Sequence, residues 1–294
     1  MTESTEALDY FAAPGVMTDL GRHADRLVDT PRTPTEIAAM VQGLLVHPHW
    51  AVAYDVIVGP EHQAELQIRS AAAMIDAIVE IDDRPLSDAR EPGYRLLGNC
   101  RDFSTLTTAL LRRTGTPARA RCGFAGYFET DRWVDHWIVE HWNGERWQVL
   151  DPQIDDLQRE VVQLEPEPSD LPPDYFLTAP AAWIRCQRGE LDGDQFGILD
   201  MWGQWFVRSN VGRDIAALNK VEMLPWDDWG ALAGGEEATA SDAAVDELSA
   251  LVQSNDTAAI RARYAADPAL QVTATVMSLV ADGEWGPDEV IELR

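Results

Sequence analysis

Cysteine is scarce in this chain, with three residues in 294: Cys100, Cys122 and Cys186. An odd count at these spacings matches neither a disulfide scaffold nor a zinc ribbon, so reduced thiols in the cytoplasm are expected. Lysine is scarcer still, because Lys220 stands alone and arginine supplies the rest of the positive charge. Against 23 basic residues stand 50 acidic ones, a net charge of −27. Such a surface repels phosphate backbones and anionic headgroups, which argues against nucleic-acid and membrane partners and leaves basic ones open. No run approaches the roughly eighteen uninterrupted apolar residues of a membrane span. The opening Met1-Thr2-Glu3-Ser4-Thr5-Glu6 carries acid where an export signal carries Lys or Arg, so export is not expected. His47-Pro48-His49 offers two imidazoles, yet no Cys or carboxylate cluster at ligand spacing accompanies them, and neither a metal nor a cofactor is expected.

What remains is an ordinary globular composition, 46% hydrophobic, at a length that can bury a full core. The chain divides by pattern into an arm and helices over 1–90, a body over 91–232, a linker over 233–242 around Gly234-Gly235-Glu236-Glu237, and a helical segment over 243–294. Periodicity predicts helices over Thr35–Val46, Glu61–Ile81, Cys100–Arg113 and Ala181–Arg188, then Thr257–Tyr264 and Ala269–Val280 near the end. Between them, alternation predicts strands at Ala118–Phe128, Trp133–Trp142 and Trp147–Leu150. Phe196–Trp229, with four tryptophans, is expected to pack on the same core. The fold class is therefore α+β, a helix followed by at least three antiparallel strands.

The stretch Gly98–Pro152 carries the chemistry. Cys100 opens a predicted helix, where unsatisfied amides stabilise thiolate over thiol, and the preceding Gly98-Asn99 loop should leave it exposed. On the strand Trp133–Trp142 alternate residues share a face, so His136 and His141 point to opposite sides. Asn143-Gly144 reads as a two-residue hairpin turn. Counting outward from it sets His136 opposite Asp151, about 5 Å apart at Cβ, within reach of a carboxylate–imidazole hydrogen bond. Cys122, in an apolar strand, and Cys186 read as small buried hydrophobes.

The motifs Gly98-Asn99-Cys100-Arg101-Asp102-Phe103-Ser104, Asp135-His136-Trp137 and Val149-Leu150-Asp151-Pro152 resemble the core of the transglutaminase-like superfamily, on its papain-like α+β scaffold. The resemblance implies Cys100 as nucleophile, His136 as general base and acid, and Asp151 as the orienting acid. It implies a peptide or small-molecule amide as substrate, with hydrolysis or acyl transfer through a thioester. Papain-type enzymes place a Gln a few residues before the Cys, a region filled here by Tyr94 and Arg95; Trp50, Asn99 and Gln153 are the other candidates to meet an oxyanion or substrate. Two alternatives stay open: a binding module that keeps the scaffold, and a biosynthetic acyltransferase that forms an amide bond. Oligomeric state is not legible.

Overall fold

The computed structural model describes residues 3–233, 235, 238–279 and 285–290. In chain order its elements are α1 (Thr5–Ala12), α2 (Pro34–Gln42), β1 (Leu45–Val46), α3 (Ala71–Ile81), β2 (Leu96–Leu97), α4 (Cys100–Arg113), β3 (Ala118–Ala125), β4 (Trp133–Trp142), β5 (Trp147–Leu150) and α5 (Asp156–Val161). There follow β6 (Phe176–Thr178), α6 (Ala179–Gln187), β7 (Phe196–Ile198), β8 (Met201–Trp202), α7 (Gln204–Leu218), α8 (Asp242–Gln253), α9 (Thr257–Ala266), β9 (Thr275–Leu279) and β10 (Trp285–Val290). The mixture is α+β, as the sequence pattern implies. Two compact units divide it: Met1–Ala120 with Ile138–Leu171, and Arg121–Trp137 with Pro172–Arg294.

In the first unit one apolar core joins α2 (Ile37, Met40, Val41), α3 (Met74, Ile75, Ile78), α4 (Phe103, Leu106, Leu110) and Val139 of β4. Helix α2 begins with a capping box between Thr33 and Glu36 and a proline at its first position, so its start is encoded locally. It ends at Gln42 rather than at Val46. A Cβ on Gly43 would lie 2.9 Å from that of Ala89, and Leu45–Val46 pairs in parallel with Leu96–Leu97. Of the helix expected over Glu61–Ile81 only Ala71–Ile81 is α-helical. Short 3₁₀ turns at Pro60–His62 and Glu65–Gln67 precede it, and Ser70 caps the true start by accepting from the Ala73 N–H.

Strand β4 pairs antiparallel with β5 through Val139↔Leu150, Glu140↔Val149, His141↔Gln148 and Trp142↔Trp147. The connection is a four-residue loop, residues 143–146, not a two-residue turn. The Asn143 N–H donates to the Arg146 carbonyl at 3.1 Å, and the Asn143 side-chain oxygen accepts from the N–H groups of Glu145 and Arg146 at 3.0 and 2.9 Å. The register therefore runs two residues away from the expected one. The residue after Leu150 falls to Ile138, so Asp151 is not the direct cross-strand partner of His136.

In the second unit the strands run in the order β6-β3-β4-β7-β8, with Gly123↔Thr178 antiparallel and Trp133↔Phe196 parallel. Gly123 is required there, since a Cβ would meet the Leu177 carbonyl oxygen at 2.1 Å. The Trp-rich span Phe196–Trp229 contains a long helix, α7, that its weak periodicity does not announce; nearly all of it from Phe206 onward is buried. Helices α8 and α9 match expectation, but Ala269–Val280 contains strand β9 (Thr275–Leu279) instead of a helix. Val272, Thr273, Thr275 and Val276 are β-branched and favour that outcome. Val280 and the linker residues Gly234, Glu236 and Glu237 lie outside the described residues.

Asp214 of α7 is fully buried and accepts from the Arg121 guanidinium at 2.9 and 2.8 Å and from the Cys122 N–H at 3.0 Å. Removing one partner of such a pair strands a charge in the interior. Arg121→Met should therefore lower the unfolding free energy by about 3–5 kcal/mol, and adding Asp214→Leu should recover part of that loss. Urea unfolding followed by circular dichroism reads both.

Candidate active site

Helix α4 is built from its first turn. Asn99 is the N-cap, and its Oδ1 accepts from the N–H groups of Arg101 (2.9 Å) and Asp102 (3.3 Å). Asp102 answers through Oδ2, which accepts from the Asn99 N–H at 2.9 Å. This reciprocal box makes Cys100 the first helical residue. Asp102 also accepts from Arg101 Nη1 at 3.0 Å, and both side chains are buried. Burial pushes the Asp102 carboxyl up to about 6, against the opposing pull of Arg101 and the Asn99 N–H.

Cys100 is only 6% exposed, which corrects the expectation of an open thiol. The rest of α4 through Arg112 is buried as well, including Ser104, Thr105, Thr107 and Thr108. The cap commits the oxygen of Asn99 to the helix and turns its Nδ2 away from it; that nitrogen is buried with no hydrogen-bond partner among the described residues. The other two thiols differ. Cys122 is fully buried, and burial pushes the Cys186 thiol up to about 11.

Asp151 follows β5 and is 1% exposed. Its N–H donates to the Pro168 carbonyl at 2.8 Å, and its Oδ1 accepts from the Gln153 N–H at 2.9 Å. Gln42 of α2 clamps the same loop by donating to the carbonyls of Pro152 (3.1 Å) and Ile154 (3.2 Å). The Gln153 side chain donates to Gln158 Oε1 at 3.0 Å, so the donor end of that amide is in use. Trp50, in the 3₁₀ turn Pro48–Tyr54, is half-buried, and Tyr94 is 57% exposed. The first unit thus holds Cys100, Asn99, Asp151, Gln153, Trp50 and Tyr94. The sequence reading passed over Tyr54, Asp155 and Gln158, which join this loop; the Asn99-x-x-Asp102 capping pattern was the one local signal for the box.

His136 belongs to the second unit, on β4. It is 2% exposed, and the rings of Phe128 and Tyr127 stand edge-on to it at 5.0 and 6.2 Å. Its neighbour Asp135 points to the other face, where its Oδ1 accepts from Asn210 Nδ2 at 2.6 Å. Asn210 in turn accepts from Arg213 at 3.1 Å, and Arg213 pairs with Asp228 at 2.9 Å. Burial raises the Asp135 carboxyl, opposed by the Asn210 hydrogen bond and the Arg213 charge. Among the described residues no group of three or more His, Cys, Asp or Glu is placed to hold a metal ion. None of the helices among them is long and apolar enough to cross a membrane.

The raised Asp102 carboxyl has a sign that can be checked. The folded chain keeps this proton where the unfolded chain, with an ordinary carboxyl near 3.8, has released it. Its contribution to stability is therefore full below about pH 4 and is lost as the pH rises to about 6, by roughly 3 kcal/mol. Asp102→Asn should flatten the stability–pH curve over that window, at a cost in overall stability because Arg101 loses its partner. Thermal melts from pH 4 to pH 7 measure both effects.

A model of the transglutaminase-like superfamily core matches residues 55–152, about a third of the chain and the span that contains Cys100, His136 and Asp151. No curated protein matches the chain. Among solved structures, a candidate cysteine protease from Cytophaga hutchinsonii is similar at 18% identity and a TM-score of 0.34, over 51% of this chain and 43% of that one. A transglutaminase from red sea bream is similar at 18% identity and a TM-score of 0.30, over 52% of this chain and 27% of that one. The chain therefore spans less than half the length of either solved protein. The likeness to the transglutaminase-like superfamily core is thus confined to residues 55–152.

Proposed function

We propose that the protein is a cysteine-dependent enzyme that cleaves or transfers an acyl group, with Cys100 as nucleophile, His136 as general base and acid, and Asp151 as the acid that orients the imidazole. The Cys100 thiolate adds to an amide or ester carbonyl. The tetrahedral intermediate collapses to a thioester as His136 protonates the leaving amine, and water or a second amine, deprotonated by the same imidazole, releases the acyl group and restores the thiol. Water is the acceptor we favour, which makes the reaction an amide hydrolysis. Neither a metal nor a cofactor enters these steps.

The observation that carries this reading is Cys100 at the first position of a capped helix, inside the segment that matches the superfamily core. There the positive end of the helix dipole favours thiolate over thiol. The three cysteines are free thiols, which suits a reducing compartment such as the cytoplasm. The net charge of −27 favours neutral or basic amides over nucleic acid or anionic lipid.

The burial of Cys100 favours a second reading, a binding module that keeps the scaffold without the chemistry. Iodoacetamide separates the two. An enzyme alkylates first at Cys100, with a rate that is already high below the ordinary thiol range near pH 8.5, while a binding module labels slowly at every cysteine. The direct test is incubation with a library of peptides and small amides. Loss of ammonia, cleavage or ligation seen by mass spectrometry should fall by at least about 1,000-fold in Cys100→Ala. Products that persist unchanged in that variant would exclude the thioester route. A thioester donor supplied with a set of amines distinguishes hydrolysis from amide synthesis.

A further inference from the structure

Four side chains in the first unit form one continuous hydrogen-bonded ladder that ends beside Asp151. Tyr54 Oη donates to Asp155 Oδ2 at 2.7 Å. Gln158 Nε2 donates to Tyr54 Oη at 3.1 Å, and Gln153 Nε2 donates to Gln158 Oε1 at 3.0 Å. The Gln153 backbone N–H then donates to Asp151 Oδ1 at 2.9 Å. Gln153 and Gln158 are each 2% exposed.

The direction of every rung follows from one end. Asp155 is the N-cap of α5, its Oδ1 accepting from the Gln158 N–H at 2.9 Å, and its Oδ2 takes the phenol proton. Tyr54 can then only accept from Gln158. That sets the Gln158 oxygen toward Gln153 and obliges Gln153 to present its NH₂. The amide orientations are thus determined by the network, with no freedom to flip. Burial, with the Asp155 hydrogen bond second, raises the Tyr54 hydroxyl and keeps it a donor.

We propose that Tyr54, Gln158 and Gln153 are positioning residues for Asp151: the ladder holds the Gln153 backbone N–H on Asp151 Oδ1 and so sets the direction of the other carboxylate oxygen. The inference rests on the reading of Asp151 as the orienting acid. It gives Gln153 a role different from contact with substrate, since its donor end is spent inside the ladder. A floppy carboxylate orients an imidazole poorly and stabilises its cationic form less, so loss of the ladder weakens the thiolate–imidazolium pair.

The test is the pH dependence of iodoacetamide alkylation at Cys100, located by peptide mass mapping, in the wild type, Tyr54→Phe and Gln153→Met, with thermal melts beside it. In the wild type the alkylation limb should lie below the ordinary thiol value near 8.5. Each variant should move its midpoint up by about half a unit to one unit, a roughly 3- to 10-fold loss of thiolate at pH values below the wild-type midpoint. Variants that melt lower yet keep the wild-type midpoint would show a ladder that serves stability alone and would overturn the proposal. A wild-type midpoint already at the ordinary thiol value would instead sink the enzymatic reading, and the positioning role with it. Two variants at different rungs keep the comparison open if one of them fails to fold.

Discussion

The reciprocal pair of hydrogen bonds between Asn99 and Asp102 decides where α4 begins, and the rest of the candidate site depends on that start. A helix leaves its first amides without partners, and in water solvent would satisfy them. Here the first turn is buried, so side chains must do it. The Asn99 oxygen takes two of these N–H groups and the Asp102 carboxyl reaches back for the Asn99 N–H, which leaves the residue between them, Cys100, one possible place: the first position. Sliding the helix by a single residue would break all three bonds inside the core. Arg101, buried beside Asp102, compensates the carboxyl that the box brings into the interior.

The same logic operates at the loop after β5. Asp151 is almost wholly enclosed, so solvent cannot supply the partners of its carboxyl. Its surroundings are therefore built from groups with defined donor and acceptor ends. Gln42 holds the backbone of the loop from α2, the Pro168 carbonyl takes the Asp151 N–H, and the ladder from Asp155 to Gln153 orders the side chains behind it. Around His136 the enclosure is aromatic, with the rings of Phe128 and Tyr127 standing edge-on to the imidazole. A second polar chain, Asp135–Asn210–Arg213–Asp228, ties the adjacent strand residue to α7.

Local chemistry was legible wherever a signal is short in sequence. Thr33 with Glu36 and Asn99 with Asp102 are caps that act over three residues, and α2 and α4 begin at them. The strand at Trp133–Trp142 was legible by its length and composition. The register of β4 on β5 was not, because Asn143-Gly144 suits both a tight turn and a longer loop. The choice between them lies with the Asn143 side chain, which here caps two N–H groups and adds two residues to the connection. Helix α7 was hidden for a related reason: a helix buried on most sides has no polar face to set its period. β9 departs from its helical expectation because its β-branched residues outweigh a weak 3.6-residue pattern.

By itself the sequence determined the α+β class, the helix that starts at Cys100, the strand that carries His136 and the three motifs that resemble a transglutaminase-like core, since each depends on residues that are neighbours along the chain. Only the tertiary structure decided that Cys100 is enclosed, that the hydroxyl-bearing residues of α4 are interior, and that Tyr54, Gln158 and Gln153 stand behind Asp151. Burial and hydrogen-bond partnership between residues about a hundred positions apart, such as Tyr54 and Asp155, are properties of packing. No periodicity or local propensity encodes them, because the free energy that selects them is gained only when distant segments exclude water together.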